Sequence, residues 1–286
     1  MIDSSVVGKD LLILEECTWS DPPKFSNPSW VPDWTQRDHF RLFGGEPIYN
    51  ASLGLTPQIS FTEYGQVLSC KGMYIGKVDG LGATYLETGR STTAEDSLQQ
   101  ARNNYNPYGA QSGMNQAVWQ TFVAGRTPTG KDAPESFKSI LQCAPSKPDS
   151  YQGPHPWRGR ATFDRVMEAN SHLQICGRPL HSFFPTSPVG EENAANIRDA
   201  FERMFRCWRS KRLLVTSQGK IGLGAAAMRL DDEIFVLSGC TVPVILRLTR
   251  PNGYRLVGCC YVHGYMEGEL LSGPHEHFLL QNISIH

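Results

Sequence analysis

The 286-residue chain has almost no net charge: 27 lysines and arginines stand against 28 aspartates and glutamates, for a balance of −1. That balance argues against nucleic-acid binding as a main role, because such proteins carry a basic face. Long hydrophobic runs are missing as well. Leu11, Leu12, Ile13 and Leu14 make a run of four with no charged flank ahead of it. A secretory signal needs an apolar stretch of about 7–15 residues and a membrane-spanning helix roughly 20. No membrane partner is therefore expected, and a cytoplasmic location is. There is no C-x-x-C pair; the eight cysteines (Cys17, Cys70, Cys143, Cys176, Cys207, Cys240, Cys259 and Cys260) are scattered. Without an export signal they read as reduced thiols of an intracellular protein, not as a disulfide framework or a structural zinc site. G-x-S-x-G, H-E-x-x-H and the P-loop are all absent, so nucleophile-elbow acyl transfer, zincin chemistry and P-loop nucleotide hydrolysis lose support. Neither a cofactor nor a metal is expected.

What is present is a turn-rich pattern, with 27 glycines and 10% aromatics. Between residues 212 and 271 short β-type runs alternate with punctuation: 213–216, a turn at Gln218-Gly219-Lys220, 221–223, a break at Asp231-Asp232, 234–237, 242–248 with Pro243 near its start, the Pro251-Asn252-Gly253 turn, and a last long strand over 254–265. Such spacing predicts five or six short antiparallel strands. Residues 66–78 (QVLSCKGMYIGKV) add a strand that pairs with them. The expected fold is α+β: a small antiparallel β-barrel or bent sheet packed with a central helical segment. We expect one compact unit over 1–286, with 1–60 as an extended N-terminal wrap, 61–90 and 212–271 as the barrel or sheet, and 111–210 as a helical insert.

The helical segment is legible in its spacing. Trp119, Phe122 and Val123 sit at i, i+3, i+4, and so do Phe137, Ile140 and Leu141, and Phe163, Val166 and Met167. The clearest helix covers about 191–208, where Ile197, Phe201, Met204, Phe205 and Trp208 hold one stripe.

The 212–271 stretch resembles the C-terminal region of fungal heterokaryon-incompatibility (HET) proteins. The residues that carry the resemblance are Arg212, Thr216, Gly219, Ile221, Gly222, Leu223, Gly224, Gly239, Val242-Pro243, Leu246-Arg247, Tyr254, Leu256, Val257, Gly258, Tyr261-Val262-His263-Gly264, Met266, Gly268 and Glu269. Upstream, Pro28-Ser29-Trp30-Val31-Pro32-Asp33-Trp34 resembles the family's PSWVPDW segment, and residues 117–126 (AVWQTFVAGR) resemble its helical W-x-T region. Two positions depart: the family's Gly-Asp turn is Asp231-Asp232, and its Leu-Gly-Pro is Leu223-Gly224-Ala225. The resemblance implies a role in self/non-self recognition. Its TIR-like N-terminal effector domain has no counterpart in these residues, so a stand-alone C-terminal module is expected.

Candidate site residues cluster after the last strand. Were the chain extended through it, Tyr261, His263, Tyr265 and Glu267 would share one face and offer an imidazole, a carboxylate and two phenols for proton transfer. His263, Tyr265 and Glu267 are the candidate catalytic residues, with Tyr261, His155, Trp157, His275 and His277 as substrate contacts. The alternative is that these groups satisfy buried backbone. His275 and His277, at i, i+2, have metal-ligand spacing but no third ligand in sequence. Residues 222–227 fit G-x-G-x-x-A by letter but precede a β run, so they read as a turn. Arg203, Arg206, Arg209, Lys211 and Arg212 read as a solvated basic face at a helix C-terminus. His155, Trp157, His181, Phe183 and Phe184 lie in Pro-flanked loops that could overhang a pocket.

Two functions fit these features. One is a cofactor-independent enzyme or binder, of cyclase or isomerase type, for a small apolar fungal metabolite. The other is a non-enzymatic protein-recognition module derived from HET proteins, with an apolar patch around Trp30 and Trp34, or a homo-oligomer.

Overall fold

A computed structural model describes residues 11, 14, 17, 27–32, 48–62, 64–84, 97–145, 158–186, 194–249, 253–272 and 279–286. The class is α+β, with an eight-stranded antiparallel sheet and a separate two-stranded hairpin. By contacts the chain falls into two units, residues 1–78 with 227–286, and residues 79–226.

In the first unit the spine is β2 (Leu68–Leu81), a 14-residue strand. β1 (Ile59–Phe61) pairs antiparallel with its start, from Ile59 opposite Cys70 to Phe61 opposite Leu68. The Thr62 hydroxyl closes the connecting turn by accepting from the Gln66 and Val67 amides at 3.2 and 3.3 Å. β7 (Glu233–Leu237) pairs with β2 over residues 72–77, with a bulge between Tyr74 and Gly76. The expected union of residues 66–78 with the C-terminal strands is therefore present. β8 (Val244–Thr249) follows β7 antiparallel, and β9 (Gly253–Val262) follows β8. β10 (Gln281–Ile285), which the sequence did not suggest, pairs antiparallel with β2 and meets β9 at Tyr254. Met73, Ile75, Ile234, Phe235, Ile245, Leu246, Leu256, Ile283 and Ile285 fill the core. Each such side chain stabilises the fold by about 1.5–3 kcal/mol when fully buried.

Asp231 takes a left-handed backbone, φ 67°. This is the position where the HET pattern has glycine, so the departure changes the residue and keeps the turn. Asp232 beside it closes the turn, its own amide donating to the Arg229 carbonyl at 3.3 Å. Its carboxylate accepts from Arg247 Nε and Nη2 at 2.8 Å each and from the Arg229 amide at 2.7 Å.

The second unit holds α1 (Gln111–Phe122), a 3-10 helix (Glu135–Gln142), α2 (Arg158–Asn170), the β3–β4 hairpin (Gln174–Ile175, Arg178–Pro179) and α3 (Ala194–Cys207). β5 (Lys211–Thr216) and β6 (Ile221–Ala225) pair antiparallel. Where an α-helical stripe is expected at 137–141, a 3-10 helix forms after Pro134. Its three-residue turn stacks buried Phe137 over buried Ile140 and leaves Leu141 partly exposed. Phe122 is the hub of an aromatic core, 6.2 Å from Phe163, 5.6 Å from Phe184 and 5.3 Å from Trp208 between ring centroids. The Trp208 indole donates to the Phe122 carbonyl at 2.9 Å, which satisfies its one polar atom. α2 and α3 cross closely at Gly159, where a Cβ would lie 1.9 Å from the Phe201 carbonyl oxygen.

The basic run at the end of α3 is solvated only in part. Arg206 is exposed and Arg209 half-buried, but Arg203, Lys211 and Arg212 are buried. Arg203 donates to the Val123 carbonyl at 3.2 Å, and Arg212 to Gly82 at 2.7 Å and Ser97 at 3.1 Å. The two buried arginines thus satisfy backbone carbonyls inside the unit. Residues 222–225 lie inside β6, not at a strand-to-helix turn, which removes any dinucleotide fingerprint.

Candidate functional site

β9 ends at Val262, three residues short of the expected strand, for a local reason. The Val262 carbonyl accepts from the Tyr265 amide at 3.0 Å, and the Val262 amide turns to the Met266 sulfur at 3.4 Å. Gly264 and Gly268 have φ of 83° and 79°, which extended backbone never adopts. Residues 263–268 therefore form a turn, followed by the short helix α4 (Glu269–Ser272).

This turn corrects the expectation of one four-residue face. Tyr261, still in β9, is buried, and its hydroxyl lies 3.2 Å from His263 Nδ1. Which group donates depends on the imidazole tautomer. Tyr265 has turned into the protein and is buried. Burial, and then the charge of Glu269, push its phenol up to about 12. Glu267 faces solvent, and its amide donates to the Glu269 carboxylate at 2.7 Å. The structure thus brings Tyr261 and His263 together, while Tyr265 is buried and Glu267 exposed on the turn that follows.

Residues 48–55 complete this end of the unit. The Tyr49 ring lies 6.2 Å from that of Tyr261, the Asn50 amide donates to the Met266 carbonyl at 2.9 Å, and the Ala51 amide to Thr241 at 2.9 Å. Asn50 organises its own loop, accepting at its carbonyl from Leu53 at 2.9 Å and at its side chain from Gly54 at 3.0 Å. Leu53 is held at φ 49° and is 49% exposed, with its side chain against Gly268. A leucine in the left-handed region costs roughly 1–2 kcal/mol. Tyr49 and Leu53 were invisible as site residues in the sequence, because they meet the turn across more than 200 positions. The only local signal was the Asn50 to Gly54 spacing of a turn.

His155, Trp157, His275 and His277 lie outside the described residues, as does Trp34. Trp30 is buried, 5.3 Å from the Phe61 ring, and the Val31 amide folds back to Pro28 at 3.0 Å. Trp30 itself therefore offers little surface to a partner. Ser29 beside it pins the chain end instead, with its amide 2.8 Å from the His286 carbonyl and its hydroxyl accepting from the Leu256 amide at 3.0 Å. Of the loop residues, Phe183 and Phe184 are buried and His181 is exposed. All eight cysteines are free thiols. Burial pushes Cys70 up to about 12 and Cys176 and Cys207 to about 11, which makes these three poor nucleophiles. Adjacent Cys259 and Cys260 are both buried and donate to the Leu14 and Pro243 carbonyls at 3.7 and 3.6 Å. Among the described residues no helix is long and apolar enough to cross a membrane.

Comparison with curated proteins and with solved structures gave no match. The C-terminal region, residues 193–280, matches the family model described as Het-6 beta-barrel domain, in agreement with the resemblance to heterokaryon-incompatibility proteins read from the sequence.

Proposed function

We propose that this chain is a non-enzymatic protein-recognition module, and that it meets its partner with the tip formed by residues 48–55 and 263–269. The observation that carries this reading is Leu53, a strained leucine (φ 49°) that is nonetheless half-exposed. Part of the side chain packs on Gly268, but about half of it is left to solvent in spite of the backbone cost, so a use for that half is sought in a contact made outside the fold. The tip's backbone is pinned by the Asn50–Met266 and Glu267–Glu269 hydrogen bonds, so little ordering is lost on binding. Exposed Glu267 and Glu269 flank the leucine, which suits a partner surface combining an apolar pocket with basic side chains. The recognition role implied by the HET resemblance agrees with this reading.

One observation favours a second reading. The 3.2 Å contact sets the Tyr261 phenol against the His263 imidazole, two groups of the kind that a cofactor-independent cyclase or isomerase of a small apolar metabolite would use to move a proton. A screen separates the two. The purified chain and His263→Ala are incubated with small metabolites extracted from the source organism and examined by native mass spectrometry and thermal shift. Recognition predicts no retained small molecule and a variant that is only less stable. A ligand retained by the wild type and lost in the variant would reverse the order of the two readings.

A further inference from the structure

We infer that the base of the β3–β4 hairpin is a divalent transition-metal site whose two protein ligands are His172 and His181. The hairpin brings the two residues across from each other: the Leu180 amide donates to the Leu173 carbonyl at 2.9 Å, and the His181 amide to Ser171 at 2.9 Å. Both imidazoles are exposed, and their rings stand edge to face with centroids 5.6 Å apart. That is near the separation of two imidazoles sharing one ion, given metal–nitrogen bonds of about 2.0–2.1 Å.

The tautomer of one ring is already set. His181 Nδ1 lies 2.9 Å from the Ser171 carbonyl, which can only accept, so Nδ1 carries a proton and Nε2 is the nitrogen left to bind an ion. A backbone carbonyl on the far nitrogen is the usual outer support of a metal-bound histidine. The backbone under His172 is equally fixed. Its carbonyl accepts from the Gln100 amide group at 2.8 Å, and the same side chain takes the Gln174 amide at 2.8 Å. Below, buried Asn170 ties the hairpin to the unit, accepting from the Ala83 amide at 2.6 Å and donating to Val166 at 2.9 Å. The two rings thus project from a base that does not have to be ordered when an ion arrives.

Two neutral imidazoles select ions of the zinc, nickel and copper kind over magnesium or calcium. Among the described residues no group of three or more His, Cys, Asp or Glu could hold a metal ion. With two ligands from the described residues, the proposed site keeps its remaining positions open to water or to a further donor, as a site that is not purely structural does.

The test uses the full chain. Zinc is titrated calorimetrically into the wild type, His172→Gln, His181→Ala and a His275→Ala/His277→Ala variant, and copper(II) is followed by electron paramagnetic resonance in the same set. Circular dichroism confirms that each variant is folded, as expected for exposed side chains. The inference predicts one ion per chain with two-nitrogen coordination. It also predicts about tenfold or greater weakening in each of the two hairpin variants, with binding unchanged in the His275/His277 variant. It is overturned if the wild type takes up no ion at millimolar zinc. It is equally overturned if His172→Gln and His181→Ala bind as the wild type does, or if only the His275/His277 variant loses the ion.

Discussion

Replacing Asp232 by alanine should destabilise the first unit by about 3–4 kcal/mol. Its carboxylate accepts Arg247 Nε and Nη2 at 2.8 Å each, in a fork geometry, and the Arg229 amide at 2.7 Å. The two side chains are only 3% and 16% exposed. Removing one partner of a buried pair costs about 3–5 kcal/mol, chiefly because the other charge is stranded. Here Arg247 keeps the Ala227 carbonyl at 2.9 Å and some water, which places the cost at the lower end, and the lost Arg229 acceptor adds about 1 kcal/mol. Replacing both, as Asp232→Leu with Arg247→Met, should recover most of the loss, since an apolar pair of similar volume strands no charge. The assay is urea unfolding followed by circular dichroism, with the four members of the cycle compared by linear extrapolation. A cost below about 1 kcal/mol for Asp232→Ala, or a double variant no better than the single ones, would show that water already solvates this pair.

Other substitutions probe other parts of the account. Gly159→Ala should destabilise the second unit by about 1–3 kcal/mol, read as a lower melting temperature, because the new Cβ meets the Phe201 carbonyl at 1.9 Å and forces α2 from α3. The Tyr265 phenol, raised to about 12 from an ordinary 10, favours the folded state below pH 10 and loses that contribution as the pH rises through 12. Tyr265→Phe should therefore flatten the alkaline limb of the stability profile, whereas an unchanged limb would place that dependence elsewhere. Leu53→Asn should leave stability unchanged or raise it by up to about 1 kcal/mol, since asparagine tolerates the left-handed backbone; a loss above that would mean Leu53 serves the fold.

The strands were legible because their signals are local. Residues 213–216, 221–223 and 234–237 fall on observed strands, and of the expected 242–248 all but Val242 and Pro243 do, with turns where Gly219 and Asp231-Asp232 mark them. The α3 stripe survives as buried Phe201, Met204 and Trp208. Two readings failed where a rule of period met a turn. The strand pattern ran past Val262 because Tyr265 looks like a strand residue, while the hydrogen bonds that end β9 depend on Met266 and Asn50. The basic run looked solvated because nothing in its spacing shows that Arg203 and Arg212 reach carbonyls at Val123 and Gly82. The tip was illegible for the same reason, since Tyr49 and Leu53 acquire their role from contacts made only after folding. β10 was missed because Gln281 and Asn282 carry no strand preference, and its pairing with β2 comes from the sheet.

The most direct test of the recognition reading places a photo-crosslinking amino acid at Glu267, and in a second protein at Tyr64, which is 85% exposed. Both are irradiated in extract of the source organism, with and without Leu53→Asn. The account predicts a discrete protein adduct from position 267 that is competed by unlabelled chain, abolished by Leu53→Asn and not formed from position 64. The same adducts from both positions, or an adduct at 267 indifferent to Leu53→Asn, would contradict it.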